Sequence, residues 1–403
     1  MSIPTNCIGF ARASPKGLTG VRLLIDEAIP RHDLFASFGD VETFPGRKLD
    51  RARLKSADAL IIRSVTRVDA ALLDGSRVRF VGTATTGLDH IDTDYLSRQR
   101  IHLAAAVGSN CRGVAEYVLA AILQLCRRWG GAPAGKTLGI IGRGRIGSLL
   151  AEWAAVSGLK VLACDPPLAQ TGESGLVQFD RLAAEADIVS LHVPLTDAGP
   201  HATRNMVDAA WLAHLQPGAW LINTSRGQVV DEKALGAALR AARLGAAVLD
   251  VWQNEPTPDP HLVAAATIAT PHIAGYTVES KLRAAEMLAA ALAGWASQIT
   301  PVASDARAPR MPPAAPSRNS ITVPPGMQYM AAVSHVLNHA VGLLTTDLAF
   351  RDMVADRDPP AFDALRTRCA NRREFTAFSV DSPLPPETCE ILKRLGFDVA
   401  ARA

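Results

Sequence analysis

The sequence predicts an α/β protein with two Rossmann-like doubly wound domains, one inserted in the other, plus a small C-terminal α/β dimerisation domain. Three observations support this prediction. Short apolar runs alternate with helical patterns in two successive series, which is typical of βαβ units in parallel sheets. A glycine-rich turn stands near the start of the second series. At 403 residues the chain is too long for a single hydrophobic core.

The first series begins at Val21 and predicts a substrate-binding domain over 21–112, completed by a helix over 279–300 that returns to it. The preceding residues, 1–20, lack the apolar segment of a signal peptide and are interpreted as a disordered leader. The apolar runs predict strands and the stretches between them predict helices. The predicted strands are "VRLLIDE", "ADALIIRSVT" and "VRFVGTATTG", and the predicted helices are "RHDLFASFG" and "VDAALLDGS".

The second series predicts a dinucleotide-binding domain over 113–278, which opens with the long helical segment "GVAEYVLAAILQLCRRW". A proline-rich stretch, 301–325, is then predicted to be a linker. The tail, 326–403, is predicted to form the small α/β domain, with one strand in "EFTAFSV". The strands predicted in the second series lie in "TLGII", "KVLACDPP", "ADIVSLHVPL", "AWLINTSRG", "AAVLDVWQNEP" and "ATIATPHIAGYT".

A G-x-G-x-x-G motif at 142–147 follows the strand "TLGII" and opens a helix, which is the context that a dinucleotide site requires. Gly142 makes the turn, Gly144 lets the backbone approach a pyrophosphate, and Gly147 lets helix and strand pack closely. The anion is expected at the helix N-terminus, so Arg145 and Ile146 are included in the site. Asp165 ends the next strand, where an acid binds the ribose hydroxyls. A proline follows it and no basic residue stands beside it, which favours NAD over NADP.

Three polar residues, Arg226, Glu255 and His272, end successive strands of the second series. Ligands of open α/β sheets bind outside those strand ends, so the three can converge. An arginine binds a carboxylate through two parallel hydrogen bonds, and a histidine can take the proton of a hydroxyl group. A carboxylate beside a histidine fixes its tautomer and favours its protonated form. The set therefore predicts oxidation of a 2-hydroxy acid.

Composition excludes several other classes of protein. The net charge is +3 without a dense Lys/Arg run, so no nucleic-acid partner is expected. No apolar run reaches the length of a membrane span, and we expect a cytoplasmic protein. The six cysteines are scattered, which predicts neither disulfides nor a metal site. His192 is interpreted as a core histidine, His90 as part of a loop, and the arginine-rich "TRCANRREF" as a solvated helix face.

Several motifs together resemble the D-isomer-specific 2-hydroxyacid dehydrogenase family over 21–298. The resemblance implies a catalytic domain split around an NAD domain, and it implies that Arg226, Glu255 and His272 form the catalytic set. The motifs are "GTATTGLDHID", "GIIGRGRIG", "LHVPLT", "LINTSRGQVVDEKAL", "LDVWQNEP" and "TPHIAGYT".

Within the family, "LLIDEAIP", "FPGR", "IAGYT" and the tail resemble one branch. This resemblance implies a phosphorylated 2-hydroxy acid as substrate: 4-phospho-D-erythronate, oxidised at C2 in vitamin B6 biosynthesis. It also implies a homodimer formed through the tail. It assigns Ser64, Thr85 and Tyr276 to the substrate, and Asp250 and Gly275, besides Asp165, to NAD.

Two alternatives remain open from the sequence. One is another phosphorylated hydroxy acid, such as 3-phosphoglycerate. The other is a non-catalytic protein that senses NAD(H) on the same fold. The groups that bind the substrate phosphate are also open, with Arg47, Arg63 and the tail arginines as candidates.

Overall fold

The computed structural model describes residues 21–299, 319–327, 329–356 and 359–400. The predicted leader and most of the predicted linker, 1–20 and 301–318, lie outside the described residues. The chain divides into two compact units. Unit 1 comprises the described residues of 1–109 and 281–316, and unit 2 those of 110–280 and 317–403.

Unit 1 contains a parallel five-stranded sheet in the order β2-β1-β3-β4-β5. Its strands are β1 Val21–Asp26, β2 Gly39–Phe44, β3 Ala59–Ile62, β4 Phe80–Thr83 and β5 His102–Ala105. Its helices are α1 Asp33–Ala36, α2 Arg51–Leu54, α3 Ala70–Leu73, α4 Thr93–Arg98 and, from its fourth residue on, α12 Val278–Ile299.

The two strands of unit 1 that the sequence did not predict are β2 and β5, which form the edges of the sheet. An edge strand has one strand neighbour and remains partly solvated, so its residues are less completely buried. Only Phe44 is buried in β2, and no residue is buried in β5. In the central strands β3 and β4 every residue is buried, which explains why they were predicted.

Unit 2 contains a parallel six-stranded sheet in the order β11-β10-β9-β8-β6-β7. Its strands are β6 Thr137–Ile141, β7 Lys160–Cys164, β8 Ile188–Leu191, β9 Trp220–Asn223, β10 Ala246–Leu249 and β11 Ile268–Ala269. The helices associated with it are α5 Cys111–Arg128, α6 Arg145–Val156, α7 Pro166–Ala169, α8 Phe179–Glu185, α9 Ala209–His214, α10 Glu232–Arg240 and α11 Pro260–Ala265.

The long helix α5 is buried on all sides from Gly113 to Cys126. A helix with this pattern lies inside a hydrophobic core rather than on its surface. Its neighbours in that core include residues of the large sheet and of α13, which belongs to the C-terminal tail.

The described residues of the tail add a three-stranded parallel sheet and four helices to unit 2. These elements are β12 Asn319–Ile321, α13 Tyr329–Val341, α14 Leu343–Ala355, α15 Pro359–Arg368, β13 Phe378–Val380, α16 Pro386–Leu395 and β14 Asp398–Val399. The strand β12 lies in the stretch predicted as a linker. The α/β class with parallel Rossmann-like sheets is confirmed, whereas the domain boundaries and a separate dimerisation domain stay predictions.

Among the described residues, no helix combines the length and the apolar character that crossing a bilayer requires.

Candidate active site

The glycine loop between β6 and α6 has the geometry of a dinucleotide-binding turn. Gly142 has a φ of +92°, and a Cβ there would lie 2.5 Å from the carbonyl oxygen of His192. A Cβ on Gly147 would lie 2.1 Å from the carbonyl oxygen of Gly142. Only glycine therefore fits at these two positions. Gly144, the N-cap of α6, has no side-chain cap and has open space where a Cβ would stand.

The open N-terminus of α6 is suited to an anion. The backbone N–H groups of Arg145, Ile146 and Gly147 precede the first hydrogen bond within the helix, which Ser148 donates to the carbonyl of Gly144. Unpaired N–H groups and the helix dipole both favour a negative charge at this position. The residues present therefore fit the pyrophosphate of NAD.

Asp165 holds the same loop from the end of β7. Its Oδ2 accepts a hydrogen bond from the backbone N–H of Arg143 at 2.8 Å, and its Oδ1 accepts one from Leu168 at 3.1 Å. A carboxylate oxygen can accept more than one hydrogen bond, so both atoms retain capacity for ribose hydroxyls. Asp165 thus fits the predicted ribose contact, which stays a prediction.

We expect Gly147→Ala and Gly144→Ala to have different effects. The methyl group introduced at Gly147 would overlap the backbone of the loop, and overpacking of this kind destabilises a fold by about 1–3 kcal/mol. The Gly144 substitution meets no neighbour within 4 Å, so stability is retained, but its methyl group occupies the space that the pyrophosphate approaches.

Thermal unfolding of the apoprotein and titration with NADH measure these two effects separately. G147A should lower the Tm, whereas G144A should keep the Tm and bind NADH more weakly. Normal NADH affinity in G144A would contradict the placement of the pyrophosphate.

The catalytic histidine and glutamate of the sequence prediction are in contact. The Nδ1 of His272 lies 2.9 Å from Oε2 and 3.1 Å from Oε1 of Glu255. Both side chains remain partly exposed, at 32% for His272 and 26% for Glu255. Because Nδ1 is engaged by the carboxylate, Nε2 is the ring nitrogen left to exchange a proton with a ligand.

Glu255 is held as a carboxylate. Burial tends to raise its pKa, but the charge and hydrogen bond of His272, the backbone N–H of Trp252 and the charge of Arg366 together lower that pKa below its usual value. The N–H of Trp252 donates to Oε1 at 3.1 Å. An ionised Glu255 fixes the proton on Nδ1 when the ring is neutral, and it stabilises the imidazolium when the ring is charged.

His272 has a backbone conformation that side-chain-bearing residues rarely adopt, with a φ of +58°. Such a conformation costs about 1–3 kcal/mol and persists only where the surroundings impose it. The buried carboxylate of Asp250 supplies this constraint. It accepts hydrogen bonds from the hydroxyl of Thr270 at 2.6 Å and from the N–H groups of Ile273 and Ala274, both at 2.8 Å.

Asp250 is therefore an anchor of the His272 loop. Its side chain is fully buried, and burial raises its pKa while the charge of His272 and the hydrogen bonds oppose that effect. The family resemblance assigns Asp250 only to NAD, and that contact stays a prediction.

Arg226 follows β9, just as Glu255 follows β10 and His272 follows β11. These three strands are neighbours in one parallel sheet, so their carboxyl ends share one edge. Asn223, which the sequence analysis did not single out, shapes the Arg226 loop. Its side chain donates to the carbonyl of Arg226 at 2.9 Å and accepts from the N–H and hydroxyl of Ser225.

Two further predicted residues lie on the same loop as His272. The N–H of Tyr276 donates to the carbonyl of Ile273 at 2.9 Å, which closes a turn. A Cβ on Gly275 would lie 2.6 Å from the side chain of Asn110, so this turn also depends on a glycine. Their predicted contacts, with substrate for Tyr276 and with NAD for Gly275, stay predictions.

In unit 1, Ser64 and Thr85 follow the adjacent parallel strands β3 and β4, at the same edge of that sheet. Ser64 is exposed. The hydroxyl of Thr85 donates to the carbonyl of Gly87 at 3.1 Å and lies 2.8 Å from the hydroxyl of Thr83. His90 contacts the same Thr83 hydroxyl at 3.1 Å, which agrees with its interpretation as a loop residue.

The interpretation of "TRCANRREF" as a solvated helix face is wrong for its second half, 372–375, whereas Thr367 and Arg368 are exposed on helix α15. Arg372 is half-buried, with Nε and Nη1 inaccessible, and its Nη2 donates to the carbonyls of Gly113 and Ala274, both at 2.7 Å. Arg373 forms an ion pair with Glu279 at 2.5 Å, and Glu374 is buried. The partners are distant in sequence, so local charge density alone gave no signal of burial.

His192, interpreted as a core residue, lies 2.9 Å from the hydroxyl of Ser190. Burial lowers its pKa to about 3, so the ring is neutral near pH 7. The described residues also contain no group of three or more His, Cys, Asp or Glu side chains arranged to hold a metal ion.

A dinucleotide loop, together with an arginine and a histidine–glutamate pair at the carboxyl edge of the same sheet, defines a nicotinamide-dependent dehydrogenase. The family described as "D-isomer specific 2-hydroxyacid dehydrogenase, NAD binding domain" matches residues 123–274. A solved D-lactate dehydrogenase from Aquifex aeolicus, complexed with NAD and lactic acid, has a TM-score of 0.59 and 26% identity. It covers 69% of this chain, and the match spans 96% of that enzyme.

Similarity to curated proteins extends over nearly the whole chain. An erythronate-4-phosphate dehydrogenase of Salinibacter ruber is 43% identical over 92% of this chain and 96% of its own length. One from Pseudomonas paraeruginosa is 40% identical over 93% of this chain and 99% of its own. The chain therefore belongs to the erythronate-4-phosphate dehydrogenases, within the D-isomer-specific 2-hydroxyacid dehydrogenase family. The predictions of this family and of NAD as cofactor are confirmed.

Proposed function

We propose that this chain oxidises 4-phospho-D-erythronate at C2 to (R)-3-hydroxy-2-oxo-4-phosphobutanoate, a step of vitamin B6 biosynthesis. NAD, when bound, supplies the acceptor for the hydride that leaves C2. The contact of His272 with Glu255, at the carboxyl edge of the sheet that carries the dinucleotide loop, is the observation that supports this proposal most strongly. It provides a positioned proton acceptor for the hydroxyl group of a 2-hydroxy acid.

In this proposal Arg226 holds the substrate carboxylate through a pair of parallel hydrogen bonds. The Nε2 of His272 accepts the proton of the C2 hydroxyl, and Glu255 stabilises the imidazolium that results. Loss of that proton and of the hydride from C2 balances the conversion of the alcohol to the 2-oxo acid. In the reverse direction the same histidine returns the proton.

Further residues complete the proposed site. Ser64, Thr85 and Tyr276 bind the substrate. The glycine loop with Arg145 and Ile146 binds the pyrophosphate, and Asp165 binds the ribose. We also infer a cytoplasmic homodimer. Light scattering tests the dimer, since a particle of the mass of one chain, 42.7 kDa, would contradict it.

Turnover of two substrates by the purified wild-type chain tests the choice of substrate. One sample receives 4-phospho-D-erythronate and the other 3-phospho-D-glycerate, each with NAD and a 2-oxo acid to reoxidise any NADH that stays bound. We expect a higher kcat/KM for the four-carbon acid. Preference for the glycerate would contradict the proposed substrate and leave the reaction class intact, whereas tight NADH binding without turnover would favour a sensor of NAD(H).

A further inference from the structure

Arg366, on the tail helix α15, lies beside the proposed substrate loop. The central carbon of its guanidinium group is 5.6 Å from the centroid of the Tyr276 ring. Its side chain is only 18% exposed, and its Nε is buried without a hydrogen-bond partner among the described residues. The ion pair from its Nη1 to Asp363 is long, at 3.9 Å. The guanidinium is thus close to Tyr276 and retains donors for a ligand.

The position of Arg366 is fixed by the packing of α15. Phe362 and Leu365 on this helix are buried. The ring of Phe362 packs edge-on against the ring of Phe350, with centroids 5.9 Å apart. The centroid of the Phe350 ring in turn lies 5.5 Å from that of Trp252. The backbone N–H of Trp252 donates to Glu255. A continuous aromatic cluster therefore supports both Arg366 and the catalytic glutamate.

The charge of Arg366 acts on the catalytic pair, since it is one of the groups that oppose the effect of burial on the pKa of Glu255. Arg366 is therefore near the site electrostatically as well as through its contact with Tyr276. An arginine with a purely structural role would have the same long-range effect on Glu255. The inference therefore rests on the contact of Arg366 with the ring of Tyr276.

Two of the other candidate arginines are committed to ion pairs with carboxylates. Arg63 forms an ion pair with the buried Asp26 at 2.9 Å. Arg373 pairs with Glu279. Arg372 donates through Nη2 to two backbone carbonyls, whereas its Nε and Nη1 are buried without a hydrogen-bond partner among the described residues. Arg366 is preferred over Arg372 because its guanidinium lies over the ring of Tyr276. The phosphate of the proposed substrate carries a charge of about −1.5 to −2 near neutral pH. With Arg226 assigned to the carboxylate, this second anion requires another cation.

We propose that Arg366 binds the phosphate group of the substrate, so that the C-terminal tail supplies a residue that determines specificity for a phosphorylated acid. The inference rests on the proposed function and identifies a ligand of the same site. The guanidinium fork suits phosphate oxygens, and stacking against Tyr276 holds the fork in place.

The test compares Arg366→Met with Arg368→Met, an exposed arginine of the same helix that serves as the control. Turnover is measured with 4-phospho-D-erythronate and with D-erythronate, which lacks the phosphate. Each charge-assisted hydrogen bond contributes about 1.5–3 kcal/mol. The ratio of interest is kcat/KM for 4-phospho-D-erythronate divided by kcat/KM for D-erythronate. We therefore expect R366M to lower this ratio by about 10- to 150-fold.

R368M should leave this ratio at the wild-type value, and Arg366→Lys, which keeps the charge but not the fork, should give an intermediate value. An unchanged ratio in R366M would overturn the proposal, because an arginine that only packs on Tyr276 or acts through Glu255 affects both substrates alike. Failure of the wild-type chain to oxidise 4-phospho-D-erythronate would instead count against the proposed function.

Titration of the NADH complexes with inorganic phosphate tests the inference independently of the substrate. Wild type and R368M should bind phosphate with equal affinity, and R366M should bind it at least about tenfold more weakly, as expected for the loss of one charge-assisted bond. Equal binding by all three proteins would also overturn the proposal. Thermal unfolding of each variant confirms that the comparison concerns folded protein.

Discussion

Replacing His272 by glutamine should lower kcat by about 10²- to 10⁴-fold, the usual contribution of a positioned acid–base group. Glutamine can still accept a hydrogen bond from the substrate hydroxyl, but it cannot carry the proton away. The contact of Nδ1 with Glu255 at 2.9 Å is what gives the histidine its defined tautomer. Steady-state turnover of 4-phospho-D-erythronate at saturating NAD measures the effect.

NADH binding should change little in the same variant, because the glycine loop and Asp165 lie on other loops of the sheet. His214→Gln provides a matched control, since His214 is exposed at the end of α9. If H272Q retained turnover within a few-fold of wild type, the role assigned to His272 would be wrong.

Replacing Arg226 by methionine should lower kcat/KM by about 100-fold or more. The proposed fork makes two charge-assisted hydrogen bonds to the carboxylate, and each contributes about 1.5–3 kcal/mol. Methionine retains much of the apolar volume of the arginine and removes the charge and all its donors. The measurement is kcat/KM for 4-phospho-D-erythronate, with NADH affinity determined in parallel.

Arg240→Met, at an exposed position in the last turn of α10, is the matched control and should leave kcat/KM unchanged. A loss of less than about tenfold in R226M would mean that another group binds the carboxylate. A loss of NADH affinity equal to the loss of kcat/KM would indicate damage to the loop rather than to substrate binding.

The sequence was sufficient to predict the central strands and the placement of three candidate site residues at strand ends. Buried parallel strands are continuous apolar runs, and Arg226, Glu255 and His272 each follow one of them. The edge strands β2 and β5 were not predicted because β2 has few apolar residues and β5 is only four residues long and half alanine, a residue that favours helices over strands. These strands form by pairing with a neighbouring strand, and that partner lies outside any short stretch of sequence around them.

The sequence could not predict how the His272 loop is held. The left-handed conformation of His272 and its support by Asp250 depend on contacts between β10 and the turn after β11. The tail shows the same limit: Arg372 donates to Gly113, which is 259 positions away in the chain. Arginines that are partly buried through such contacts look like surface residues in a sequence.

The central claim is that hydride passes directly from C2 of the substrate to NAD. A substrate labelled with deuterium at C2 tests this claim most directly. The wild-type chain is incubated with NAD and 4-phospho-D-erythronate deuterated at C2, and the NADH formed is analysed by mass spectrometry. Direct hydride transfer from C2 predicts NADH that carries one deuterium atom, together with the 2-oxo acid. Unlabelled NADH, or intact substrate with no NADH formed, would contradict the account.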